Sequence, residues 1–202
     1  MKKILSLLLS VGISTTLFVA QTTNATESKY RFKEVFKIEA TPVQSQGQTG
    51  TCWSFSGTSF FESEIQRLGA KNPVILSEMY VVRKAYELKA DKFIRMDGKI
   101  NFSEGGAFHD VPLVIEKFGI VPYEVYTGLK GTSAFDHSDM FKQLNTVMTD
   151  MVSRIGTPEG IPLEWNRKFK NILDLGIGKD IETFDYNGQR YTPKQRMHAR
   201  NS

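Results

Sequence analysis

Apolar residues fall into five stretches with helical spacing, separated by glycine- and proline-marked breaks, and the chain closes on a short alternating stretch. The first stretch, Trp53, Phe55, Phe60, Phe61, Ile65 and Leu68, follows the polar loop Gln46-Gly47-Gln48-Thr49-Gly50-Thr51, which puts Cys52 in the first turn of a helix. Ser77-Glu78 opens a second helix carried by Met79, Val82, Ala85, Tyr86 and Leu88, ending before Asp97-Gly98. After a loop containing Gly105-Gly106, a third helix is predicted from Asp110 to Phe118, stopped by Gly119. Residues 122–133 read as a loop. Phe141 to Ile155 and Leu163 to Leu173 then fit two more helical segments, split by the break from Gly156 to Pro162. Phe184 to Tyr191 alternates across Asn187-Gly188 and predicts a hairpin.

The amino terminus has a different pattern. Met1 to Lys3 is short and positive, Ile4 to Ala20 is apolar or small, and Thr23-Asn24-Ala25 supplies small residues suited to a cleavage site. Residues 1–25 are therefore expected to be a secretory signal peptide, which places the mature chain in the periplasm or outside the cell. An uncleaved anchor is the other reading, though Ser6, Ser10, Ser14, Thr15 and Thr16 leave it short on hydrophobicity. Residues 26–40 form a charged lead-in segment, 41–175 a mainly helical body, and 176–202 a hairpin with a basic tail.

The 202 residues are 40% hydrophobic and 24% charged, which excludes a disordered or collagen-like chain. Formal net charge is +4, and +2 without Lys2 and Lys3, too weak a bias for nucleic-acid binding. Lys194, Arg196 and Arg200 read as a small solvated patch. No run after the amino terminus is long enough to cross a bilayer, so no membrane association is expected once the signal is removed. Nothing in the sequence calls for a cofactor or a metal.

Cys52 is the sole cysteine, so no intramolecular disulfide can form. A thiolate is the nucleophilic form, and the amides and dipole at a helix start favour a nearby negative charge. Acyl transfer also needs donors aimed at the oxygen that becomes negative. The backbone amide of Cys52 and the side-chain amide of Gln46, folded back across a loop with two glycines, can supply them.

Gln46-Gly47-Gln48-Thr49-Gly50-Thr51-Cys52-Trp53-Ser54-Phe55 closely resembles the active-site segment of papain-like cysteine peptidases, Gln-Gly-x-x-Gly-x-Cys-Trp-x-Phe. Leu76-Ser77-Glu78 resembles the family segment that opens the next helix. Gly105-Gly106 resembles the glycine pair whose backbone lines the substrate cleft, and Trp53 is expected to join it in binding substrate. Thr49 stands where secreted relatives usually carry a disulfide cysteine. That departure, with Glu104-Gly105-Gly106, Asp110 and Ile115 to Pro122, is similar to the bleomycin hydrolase and aminopeptidase C branch. The resemblance implies an α+β papain-like fold with mainly the helical half present and the β-barrel half missing or partial. It implies a long Cys52 helix at the centre, with Trp53, Phe55, Phe60 and Ile65 mostly buried, and a helical insertion beginning near Phe141. It also implies a peptide substrate, aminopeptidase-like hydrolysis through a Cys52 acyl-enzyme, and homo-oligomeric assembly.

Such chemistry needs a histidine to take the thiol proton and return it to the leaving amine. His109 reads as a cleft-wall or surface residue and His137 as a solvated turn or helix cap. His198 has a suitable separation from Cys52, but its basic, polar surroundings do not match. The expectation is a chain that stops before the catalytic histidine and asparagine. The alternatives are a non-catalytic pseudo-peptidase that binds a peptide or partner, and a compact cathepsin-like endopeptidase using His198.

Overall fold

The computed structural model describes residues 30, 33–36, 39–70 and 74–198. It divides into two units, Met1–Lys37 and Ile38–Ser202. The signal-peptide expectation lies outside the described residues, and those described in the first unit carry no regular secondary structure.

In the second unit, α1 (Cys52–Arg67), α2 (Glu78–Arg95), α3 (Asp110–Phe118), α4 (Ser138–Ser153) and α5 (Trp165–Gly176) precede β1 (Phe184–Tyr186), β2 (Gln189–Tyr191) and α6 (Pro193–His198). Helix α2 packs against α1, α3 and α4, and α4 packs against α5. Ser77 caps α2, its hydroxyl accepting from the Tyr80 amide at 3.0 Å. The residues from Glu78 to Tyr86 are buried without interruption, so α2 is covered on every side. Burial of each such large apolar side chain contributes about 1.5–3 kcal/mol. Arg83 and Lys84 are buried in this run because they meet partners. Arg83 donates to Gly178 O at 2.7 Å and pairs with Asp174 at 2.7 Å, and Lys84 pairs with Asp180 at 2.5 Å. These bonds tie α2 to the last turn of α5 and to the chain after it.

The helix at the centre is α2 and not the Cys52 helix. Helix α1 buries Trp53, Ser54, Gly57, Thr58 and Glu62, a stripe of mostly small or polar residues. Gly57 admits Val111 of α3 so closely that an added Cβ would lie 2.5 Å from the valine Cγ2. The bulky residues of α1 consequently point elsewhere: Phe55 and Ile65 are half-buried, and Phe60 is 50% exposed. Phe60 rests edge-on against Phe61 and Phe108.

The β1–β2 hairpin pairs Phe184 with Tyr191 and Tyr186 with Gln189, and Asn187 and Gly188 both take the positive φ that their two-residue turn requires. It is the only named sheet among the described residues. The basic tail is partly folded, contrary to a solvated patch: Arg196 is buried with its guanidinium over the Tyr186 and Tyr191 rings, at 5.1 and 5.8 Å. Helix α6 packs on the C-terminal end of α3, where Pro193 O accepts from Ile120 N and Lys194 donates to Glu116 O.

Candidate active site

The loop before Cys52 is fixed from both sides. Gly47 has φ +59, and a Cβ there would come within 2.4 Å of Phe135 O. Only glycine allows the loop to lie on residues 135–137, where Gln48 N donates to Phe135 O at 2.9 Å and His137 N donates to Gln48 O at 3.2 Å. Within the loop, Thr49 Oγ1 donates to Gln46 O at 3.0 Å and lies 2.5 Å from Thr51 Oγ1. Two hydroxyls thus tie a segment that carries no second cysteine.

Cys52 begins α1 and is exposed. Its neighbours are packed away: Thr51 and Trp53 are buried on either side of it. The Gln46 side-chain amide donates to Thr49 O at 2.5 Å, so it turns back into its own loop. An amide has two N–H donors, and this bond uses one.

Glu104 joins the opposite wall to this turn. Its carboxylate accepts from Gly50 N at 2.6 Å, and its carbonyl accepts from Trp53 Nε1 at 3.0 Å. Phe102, two residues earlier, is buried between α2, α4 and α5 and stacks on Phe141 at 5.4 Å. The loop is therefore anchored in the core immediately before it reaches the site. Gly106 lies over Trp53, where a Cβ would be 2.7 Å from the indole ring. Lys89 of α2 donates to Gly105 O at 2.6 Å, and its ammonium lies 4.9 Å from the Trp53 ring centre. The fold thus brings together Gln46, Cys52, Trp53, Gly105 and Gly106. Trp53 is 4% exposed and supports Gly106 from beneath, so it reaches a ligand only through that glycine. Lys89 carried no signal in the sequence, and Glu104 entered only through the branch resemblance, with no role of its own. The acidic residue directly before the glycine pair was the available signal for Glu104.

The three histidines lie elsewhere. His109 is exposed, with Nε2 3.6 Å from Asp110 Oδ1. His137 is 1% exposed, which corrects its reading as a solvated residue: it sits at the N-cap of α4 with neither ring nitrogen bonded among the described residues. Burial pushes its pKa down to about 4, against a smaller opposing effect of Asp136, so its imidazole is neutral at physiological pH. His198 ends α6, whose first residues, Pro193 and Lys194, meet the C-terminal end of α3, whereas the Cys52 turn meets the loop leading into the N-terminal end of that nine-residue, about 13 Å helix. No hydrogen bond joins Cys52 to a histidine among the described residues.

Beneath α1 lies a buried carboxyl pair. Glu62 accepts from Leu76 N at 2.7 Å and from Thr41 Oγ1, and burial raises its pKa. Burial, with a smaller contribution from Glu62, raises Glu78 to about 7.

The mainly helical body with its two-stranded sheet is part of a papain-like α+β fold. The family model described as papain family cysteine protease matches residues 28–93, a span that includes Cys52 and most of α2. The crystal structure of PepW from Lactobacillus rhamnosis HN001 is similar to this chain with a TM-score of 0.61 and 18% identity, over 81% of this chain and 45% of that one. This chain therefore spans less than half the length of that relative. No curated protein matches the sequence.

Proposed function

We propose that this chain carries the nucleophile half of a cysteine peptidase. The observation that carries the reading is the exposed Cys52 at the start of α1, held between the Gln46 loop and the Gly105–Gly106 strip. In the proposed step the Cys52 thiolate attacks the peptide carbonyl carbon. Its own backbone amide and the Gln46 side chain receive the developing oxyanion. The C–N bond breaks as the leaving amine takes the proton that the thiol gave up, and water then hydrolyses the thioester. A peptide laid along Gly105–Gly106 would meet bare backbone there.

The placement of the three histidines favours an acid–base partner supplied by residues beyond these 202, in keeping with the share of PepW that the chain covers. Thr49 and the segment around Glu104 support the bleomycin hydrolase and aminopeptidase C branch, with aminopeptidase action on a peptide substrate by an exported enzyme, and homo-oligomeric assembly. The apolar stretch before Ala25 supports export.

The test separates labelling from turnover. Iodoacetamide should modify Cys52 faster than it modifies a free cysteine, while aminoacyl-amide hydrolysis by this chain should not exceed that of Cys52→Ser. A general acid–base contributes about 10²–10⁴-fold, and its absence accounts for the gap. Alkylator-sensitive hydrolysis that disappears in His198→Ala would replace this reading with the compact endopeptidase. An unreactive Cys52 would leave a peptide-binding pseudo-peptidase.

A further inference from the structure

A cavity of about 480 Å³ lies between α2, the loop ending at Gly105, and the beginning of α3. Its apolar lining includes Leu88, Leu113 and Val114, and Lys89 and Lys92 both contribute from α2. Three residues apart on one helix, the two lysines present their ammonium groups from adjacent turns. Asp110 is the one carboxylate in the lining, and it is already engaged: its Oδ2 accepts from Ala107 N at 2.9 Å, and its Oδ1 lies 3.6 Å from His109 Nε2. Lys89 uses one of its three protons on Gly105 O. Asp110 remains a carboxylate and offsets one of the two lysines, so the cavity combines an apolar surface with an excess of one positive charge. Gly105 belongs both to its wall and to the strip packed beside Trp53, so the cavity opens where the strip begins.

We infer that this cavity binds an acidic side chain of the peptide, with the carboxylate at Lys89 and Lys92 and the methylenes on Leu88, Leu113 and Val114. The inference rests on the peptidase reading for the peptide's path along Gly105–Gly106, but binding can be measured without turnover. The experiment uses the 202-residue chain as Cys52→Ser. Fluorescein-labelled, C-terminally amidated Ala-Gly peptides carrying a single Glu, Gln or Lys are titrated by fluorescence anisotropy.

The Glu peptide should bind about fivefold more tightly than the Gln peptide, the value of one partly screened ion pair, and the Lys peptide more weakly than either. Lys92→Gln should abolish the preference. Lys89→Met should reduce it and also weaken every peptide, because it frees the Gly105 loop. The exposed Lys168→Gln on α5 should leave the preference intact. Equal binding of Glu and Gln peptides overturns the inference, as does a Glu preference that survives Lys92→Gln, or failure of all three peptides to bind. A Gln peptide with a free C-terminus that matches the Glu peptide would overturn the side-chain assignment in favour of a terminal carboxylate. A lysine-dependent Glu preference combined with an iodoacetamide-resistant Cys52 would retain the acidic pocket and discard the peptidase reading. A reactive Cys52 with no Glu preference would do the reverse.

Discussion

Helices α1 and α2 are neighbours in sequence and pack on each other, yet they are held in opposite ways. Helix α2 is buried continuously from Glu78 to Tyr86, and the transfer of large side chains out of water stabilises it. Helix α1 buries one narrow stripe and is fastened by polar contacts: Ser54 Oγ donates to Glu78 O at 2.9 Å, and Glu62 accepts from Leu76 N at 2.7 Å. The difference follows from what each must present. A thiol that meets substrate has to stand at a surface, so its helix cannot be enclosed. The stable post beside it supplies the rigidity.

The contrast breaks first if truncating a large side chain on α2 costs little. Tyr86 is 0% exposed and packs on Phe141 at a ring distance of 5.5 Å. Tyr86→Ala should lose about 3–5 kcal/mol in urea unfolding. Its hydroxyl has no hydrogen-bond partner among the described residues, so Tyr86→Phe should be neutral or mildly stabilising. A large loss in Tyr86→Phe would show that the hydroxyl is bonded after all.

Acid and base sharpen the comparison next, because two titratable groups packed beside α1 and the loop before it, Glu78 at the start of α2 and His137 at the N-cap of α4, are buried with opposite effect. Glu78, beneath α1, has a folded pKa of about 7, above its unfolded value, so its contribution to stability is full at low pH and lost as pH rises toward 7. His137, behind the Gln48 loop, has a folded pKa of about 4, below its unfolded value, so its contribution is full above pH 6.5 and lost as pH falls toward 4. Each swing is worth about 3 kcal/mol, and in the parent protein they oppose each other over the same window. Thermal unfolding between pH 4.5 and 6.5 should show Tm rising with pH more steeply in Glu78→Gln than in the parent. In His137→Phe, Tm should fall as pH rises. Unchanged slopes in both variants would remove these groups from the pH response.

A smaller effect tests the narrow stripe itself. Gly57→Ala gains about 1 kcal/mol of helix propensity but sets a methyl 2.5 Å from Val111 Cγ2. Overpacking of this kind costs about 1–3 kcal/mol, so a net loss is expected. That loss should shrink when Gly57→Ala is made in a Val111→Ala background, a non-additivity readable from the double-mutant cycle. Strict additivity would mean that α1 and α3 do not meet there.

Much of this architecture was legible because it is local. Ser77 as a cap, Gly119 as a stop and Asn187-Gly188 as a hairpin turn each act within a few residues, and α2, α3 and the hairpin follow from them. The candidate site was legible through the ten residues around Cys52 and the glycine pair. The sequence misled where two stripes of one helix compete. Phe60, Phe61 and Ile65 have helical spacing, but so do Ser54, Gly57 and Thr58, and α3 approaches the small stripe because Gly57 leaves room for Val111. Burial of His137 depends on its pairing with Gln48, 89 residues away in the chain, and Glu104 and Lys89 act through contacts of the same non-local kind. Arg196 read as a surface charge because its two tyrosine partners become neighbours only after the hairpin closes.

The smallest effect belongs to the most conspicuous apolar residue of α1. Phe60 is half exposed and touches Phe61 and Phe108 edge-on, so replacing it removes aromatic contacts worth about 0.5–1.5 kcal/mol and opens no cavity in the core. Phe60→Ser should therefore lose about 1 kcal/mol or less in urea unfolding, well below Tyr86→Ala. Eight residues along α1 place it about 12 Å from Cys52, and its ring contacts are with Phe61 and Phe108. The rate of Cys52 modification by iodoacetamide should consequently match that of the parent. A loss of several kcal/mol would place Phe60 in the core and return α1 to the centre of the fold. A changed labelling rate would instead mean that the aromatic cluster and the start of α1 move together.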